Sequence, residues 1–129
     1  MSHIAKMDVE VKSLEASKRA VARMGGVFYE NQKTHRFFGS QKGTCDHAFS
    51  FPGCQYEVGL VVNARGGLDV VWDSFESKLR DAMGGYEGAA FKQAYGIEAT
   101  IEAMAAEGVA LLGETVRPDG IVELEFAGL

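Results

Sequence analysis

Long apolar runs are what this chain lacks first. No stretch approaches the ~20 consecutive apolar residues needed to cross a bilayer. Lys6, Asp8, Glu10 and Lys12 interrupt the region where a secretory signal would need an apolar core. Cysteine is scarce: Cys45 and Cys54 are the two present. Without an export signal they meet a reducing compartment, so free thiols in a cytoplasmic protein are expected. Positive charge is also short, with 13 lysines and arginines against 18 aspartates and glutamates, a net charge of −5. That balance disfavours nonspecific nucleic-acid binding, which needs a basic surface to neutralise phosphates. The pairs Gly25-Gly26, Gly66-Gly67 and Gly84-Gly85 match neither a phosphate-binding loop nor a dinucleotide-binding turn. They read as turn and cap glycines. No nucleophile elbow, zinc-protease helix or calcium loop occurs.

What is present suffices for one domain. A chain of 129 residues at 47% apolar content can bury a real core. Its charge is unevenly spread. Residues 1–43 carry 8 basic against 4 acidic side chains, and residues 81–129 carry 2 against 9. Either the two ends lie side by side and neutralise each other, or the molecule is dipolar and stacks head to tail or steers a charged partner.

Ala5 to Val11 alternates apolar and polar with the two-residue period of a half-buried strand. Ser13 is placed to cap a following helix, with Glu15 in its first turn, Leu14, Val21 and Met24 at helical spacing, and Lys18, Arg19 and Arg23 on its wet side. Gly25-Gly26 ends that helix. Strand candidates follow at Val27–Glu30, Thr34–Phe38, Ala48–Phe51, Tyr56–Asn63 and Leu68–Asp73, the last two joined as a hairpin through a glycine-bearing loop. Gly39 to Thr44 is polar and reads as a loop, and Ser74 to Tyr86 as one or two helical turns. A principal helix is expected from Gly88 to Glu107, then a hairpin of Val109–Val116 and Ile121–Phe126 with Glu123 and Glu125 in solvent. The order predicts a single α+β domain over residues 1–129, a mainly antiparallel sheet carrying two helices on one face. The other face is left to solvent or to another subunit.

Three stretches are distinctive: Phe51-Pro52-Gly53-Cys54-Gln55-Tyr56, Phe91-Lys92-Gln93-Ala94-Tyr95-Gly96-Ile97-Glu98, and Pro118-Asp119-Gly120-Ile121-Val122-Glu123-Leu124. In this order, after an opening Met1-Ser2-His3, they resemble a family of small proteins from plastid, cyanobacterial, other bacterial and phage genomes. It is the hypothetical chloroplast reading-frame family, domain of unknown function 1257. The resemblance spans nearly the whole chain and implies a fold without implying an activity. Family members tend to show Thr-x-Arg followed by an aromatic, which here is Thr34-His35-Arg36-Phe37. Where the family has an aromatic after Pro-Gly, this chain has Cys54.

Glu98 falls inside the apolar stripe of the principal helix, and a buried glutamate needs a partner or a raised pKa. It is either a stripe-edge carboxylate reaching solvent or an arginine, an interface ion pair, or an orienting or acid–base group. His3 extends the inward series of the first strand, Tyr95 lies a turn before Glu98, and Arg36 is the basic residue of its strand. Convergence of His3, Arg36, Tyr95 and Glu98 would make a buried polar network, which more often specifies packing than catalyses. Cys45, His47 and Cys54, with His35 as the fourth candidate, are weak zinc ligands, since their spacing departs from the usual close cysteine pairs. Two ordinary thiols are the better reading, and no cofactor is expected. Trp72, with Phe37, Phe38, Tyr56 and Tyr86, suits core packing or an aromatic binding surface.

The expectation for function is a noncatalytic protein-binding or modulating module, in the manner of a phage or bacterial accessory protein. It would self-associate or bind a larger complex. The alternative is a small-molecule pocket or small enzyme centred on His3, Arg36, Tyr95 and Glu98. Recognition of single-stranded nucleic acid on an open sheet face is disfavoured by the net charge.

Overall fold

Period-two alternation and helix caps resolve into an ordered series of elements in the computed structural model, which describes residues 5–37 and 41–127. They are β1 (Ala5–Val11), α1 (Leu14–Arg23), β2 (Val27–Tyr29), β3 (Thr34–Phe37), β4 (Gln41–Thr44), β5 (His47–Ser50), β6 (Val58–Val62), β7 (Leu68–Trp72), α2 (Ser77–Met83), α3 (Ala89–Ala106), β8 (Leu111–Val116) and β9 (Val122–Phe126). The fold is α+β. Five strands form an antiparallel sheet in the order β1-β7-β6-β5-β2, while β3–β4 and β8–β9 are separate two-stranded hairpins.

Alternation decides which side chains meet. Cross-strand pairing of Phe28 with Phe49 and of Phe49 with Val58 sets these on one face, and Leu60 with Val70 continues it. Against that face pack α1, through Ala16, Ala20 and Val21, and α3, through Phe91, Ala94 and Tyr95. The Phe49 and Phe91 rings stack at 5.3 Å, and Phe91 and Tyr95 at 6.3 Å. Such pairs add about 0.5–1.5 kcal/mol beyond the area they bury. Ser13 caps α1 as its spacing implies: its Oγ accepts from Ala16 N at 3.0 Å. Gly25, at φ +80°, then turns the chain out of the helix in a conformation that side chains resist.

One expectation is corrected. Gln41–Thr44 is not a loop but the strand β4, in register with β3 from Thr34↔Thr44 to Phe37↔Gln41. Its polar residues need no apolar alternation because the hairpin borrows its burial from elsewhere. The side chain of His35 lies flush on Gly59 of β6 and beside Cys45, on the sheet face opposite the helices. Hence the second face is not wholly solvated. At β5 and β6 it is roofed by the chain's own hairpin, and every residue of β5 is buried. Over Ser74–Tyr86 the expected helical turns form α2, a short third helix ended by Gly84 in the left-handed region.

The close approach at Gly59 makes a direct test. A Cβ there would stand 2.6 Å from His35 Cδ2 and 3.1 Å from Cys45 Cβ, whereas one at Gly96, on α3, meets nothing within 4 Å. Gly59→Ala should cost about 1–3 kcal/mol in urea denaturation, as overpacking does. Gly96→Ala should instead gain up to ~1 kcal/mol from helix propensity.

Candidate functional site

Tyr95 and Glu98 project from one side of α3 toward α1. The Tyr95 hydroxyl accepts from the backbone N–H of Lys12 at 2.9 Å and of Ser13 at 3.2 Å, pinning the β1–α1 junction to α3. Glu98, 8% exposed, accepts from Arg19 Nε at 3.2 Å and from Arg23 Nε and Nη2 at 3.0 and 2.7 Å. Arg19 also reaches Glu102 at 2.9 Å, and Arg23 continues to Glu114 on β8, 2.9 Å from its Oε1. Ser13 and Arg19 together hold the Glu102 carboxyl below its usual range, and Arg23 does the same for Glu114. The basic start and acidic end of the chain therefore lie together, with the two arginines ascribed to the wet side of α1 turned to this purpose.

Arg36 belongs to another layer. Its Nη1 lies 3.3 Å from Glu57 Oε2, and its backbone N–H donates to Glu57 Oε1 at 2.8 Å. Glu57, 3% exposed, also accepts from Gln32 Nε2 at 3.2 Å, so one carboxylate fastens β3 to the start of β6. The structure thus brings Tyr95 and Glu98 to the same side of α3 and sends Arg36 to the opposite side of the sheet. His3 lies outside the described residues. Trp72 ends β7 with 3% exposure, part of the core rather than an open aromatic surface. Its accessible edge borders a cleft of about 220 Å³ with Lys6, Met7, Ser74, Tyr86, Glu87 and Lys92. Tyr56 is buried as well, while Tyr86 is exposed beneath the Arg80 guanidinium, 4.5 Å above its ring.

The metal candidates have separate occupations. His47 Nδ1 accepts from Asn31 N at 2.9 Å, and Cys45 Sγ donates to Gln32 O at 3.2 Å. Burial, reinforced by Asp46 and Glu57, pushes the Cys45 thiol up to about 11, which opposes thiolate chemistry. Cys54 is half-buried, and both cysteines are free. Among the described residues no group of three or more His, Cys, Asp or Glu side chains is placed to hold a metal. His35 is a different matter. It is 1% exposed, and among the described residues neither ring nitrogen has a hydrogen-bond partner. Burial lowers its pKa, opposed by the nearby main chain and carboxylate of Glu57.

A feature that residue-by-residue reading missed lies at the other side of the molecule. Pairing of Glu114 with Leu124 and Val116 with Val122 turns Val116, Val122 and Leu124 to the face of the β8–β9 hairpin that carries the Arg23 contact. The other face carries Thr115, Glu123 and Glu125. Gln93 Nε2 of α3 donates to Gly120 O at 3.0 Å at the hairpin's turn. Between β9 and α3 an open groove of about 440 Å³ is lined by Lys92, Gln93, Gly96, Ile97, Ile121 and Leu124, among others. Leu112, Val116 and Ile121 are 64%, 67% and 51% exposed. The signal available in the sequence was the Gly96 gap in α3 opposite an alternating strand.

No protein-family model matches this chain, and neither a curated protein nor a solved structure is found similar to it.

Two measurements probe this chemistry. Glu98→Gln leaves two guanidinium groups facing a neutral amide and should lower stability by about 1–3 kcal/mol, with native circular dichroism retained. The second follows from His35. Its neutral form is the one the fold accommodates, so its contribution is complete above the unfolded value of about 6.5 and is lost as pH falls toward the lower folded value. Urea midpoints should decline as pH falls below about 6.5, and His35→Leu should flatten that slope. The further loss at more acidic pH, where the lowered Glu102 and Glu114 carboxylates protonate, should survive the substitution.

Proposed function

We propose that this chain is a noncatalytic protein-binding module whose contact element is the β8–β9 hairpin together with its groove on α3. The observation that carries the reading is the hairpin's exposed apolar set, Leu112, Val116 and Ile121, on a two-stranded ribbon with no further strand paired to either edge among the described residues. A ribbon of this size is marginally stable in water by itself and gains from a covering partner. The polar residues singled out in the sequence are engaged inside the fold: Tyr95 on the α1 junction, Glu98 on two arginines, and Arg36 on Glu57. A role as a bacterial or phage accessory protein in the cytoplasm belongs to the same proposal. It rests on the sequence resemblance described above and on two thiols left unbridged.

The test compares two tagged baits, the native chain and the Val116→Lys/Ile121→Lys variant, with light scattering on each pure protein. Both side chains are more than half exposed, so the variant should keep the native melting temperature. A stoichiometric protein held by the native chain and lost by the variant is the expected result. A self-associated species that the variant converts to monomer would identify the partner as a second copy. Equal retention by both baits would contradict the assignment of the hairpin.

A further inference from the structure

We infer that the free edge of β9 accepts an added strand, and that the strand it fits is an extended segment of another protein in which apolar and basic residues alternate. The inference rests on the reading of the hairpin as a protein-binding element and specifies the chemistry of what binds.

The register shows which backbone groups are open. Arg117 N donates to Ile121 O at 2.8 Å, so residues 117 and 121 are a hydrogen-bonded pair. Bonded and non-bonded pairs alternate in an antiparallel ladder. Along the pairs Val116↔Val122, Glu114↔Leu124 and Thr115↔Glu123, the main chain of Glu123 therefore turns toward β8. That of Val122 and Leu124 turns outward. Their N–H and C=O groups point away from β8, along the open edge of β9, while their side chains line the groove. Arg23 of α1 holds Glu114 on β8 and Gln93 of α3 reaches the turn, while Val122 and Leu124 of β9 line one groove with Gly96, Ile97 and Thr100 of α3. The groove, floored by Gly96, Ile97 and Thr100 and walled by Val122 and Leu124, is where one more strand would lie. Gly96 leaves that floor without a side chain.

Side-chain chemistry then selects the occupant. A residue opposite Val122 or Leu124 would point into the groove, against an apolar floor. A residue opposite Glu123 or Glu125 would point to the outer face, where Arg117 lies 3.6 Å from Glu123 and Glu125 has no ion pair among the described residues. Directly opposed charges of unlike sign stabilise a strand pair and like charges destabilise it. An incoming strand that alternates valine-like and lysine-like residues satisfies both faces at once. A second copy of this chain adding its own β9 would set Glu123 and Glu125 against the same acidic pair, so that occupant is disfavoured by the same rule. Strand addition of this kind takes affinity from main-chain hydrogen bonds and selectivity from alternate side chains.

The experiment uses the full chain and two short capped synthetic peptides, one alternating lysine with valine and one alternating glutamate with valine. Binding is followed by fluorescence anisotropy at low salt, and amide exchange by nuclear magnetic resonance. The lysine–valine peptide should bind about tenfold more tightly than the glutamate–valine peptide. On binding, the Val122 and Leu124 amides should become protected. The exposed double variant Glu123→Lys/Glu125→Lys should reverse the preference. Absence of binding, equal binding of the two peptides, or protection appearing elsewhere on the molecule would overturn strand addition. If the peptide fails while the Val116→Lys/Ile121→Lys variant still loses its protein, strand addition falls and the hairpin reading stands. Failure of both comparisons removes the reading itself.

Discussion

The Arg23 guanidinium, shared between Glu98 on α3 and Glu114 on β8, is the contact on which the outer half of the structure depends. Stability of the inner half has another source. Phe49, Phe91 and the aliphatic residues of β6, β7 and α1 are removed from water, and burial of that kind outweighs any single polar contact. The apolar core holds α1 and α3 on the sheet but does not dictate where the last hairpin rests. Its strands bury little, so direction must come from charge. Hydrogen bonds to charged groups contribute about 1.5–3 kcal/mol where they are shielded, and ion pairs in open solvent little more than ~0–1 kcal/mol. With Glu98 nearly buried and Arg23 half-covered, the cluster sits nearer the first regime at its α3 end and nearer the second at Glu114.

That gradient bears on the proposed binding role. An element anchored at one point by a shared arginine and at its turn by Gln93 keeps a strand edge and an adjoining groove available. Acidic side chains on the outer face of β9 protect the same edge from pairing with its own kind, a device by which edge strands avoid aggregation. On the opposite side of the sheet, Glu57 performs the corresponding task for the β3–β4 hairpin. It does so from a far more buried position, so that hairpin is a closed roof rather than an open arm.

Much of this architecture was legible in the residues. β1, α1 with its Ser13 cap, the β6–β7 hairpin and α3 follow from periodicity and caps that act within a few residues. β4 was not legible, because Gln41-Lys42-Gly43-Thr44 carries no apolar alternation and is held by a neighbour. The burial of His35 depends on the empty space above Gly59, a relation across strands that no local pattern records. Glu98 stood out by its place in an apolar stripe. Its partners did not, since Arg19 and Arg23 occupy what reads as the solvent side of a different helix. Arg36 was grouped with Tyr95 and Glu98, whereas its partner is Glu57 on the other side of the sheet; Glu57, lodged between Tyr56 and Val58, was the signal to follow.

The direct test of this account is hydrogen exchange along the chain in the native protein and in Arg23→Gln. If Arg23 is the link that sets the hairpin on the helices, amides of β8 and β9 should lose protection while those of β5, β6 and β7 keep theirs. Unchanged protection in β8 and β9, or a uniform loss through the five-stranded sheet, would contradict it.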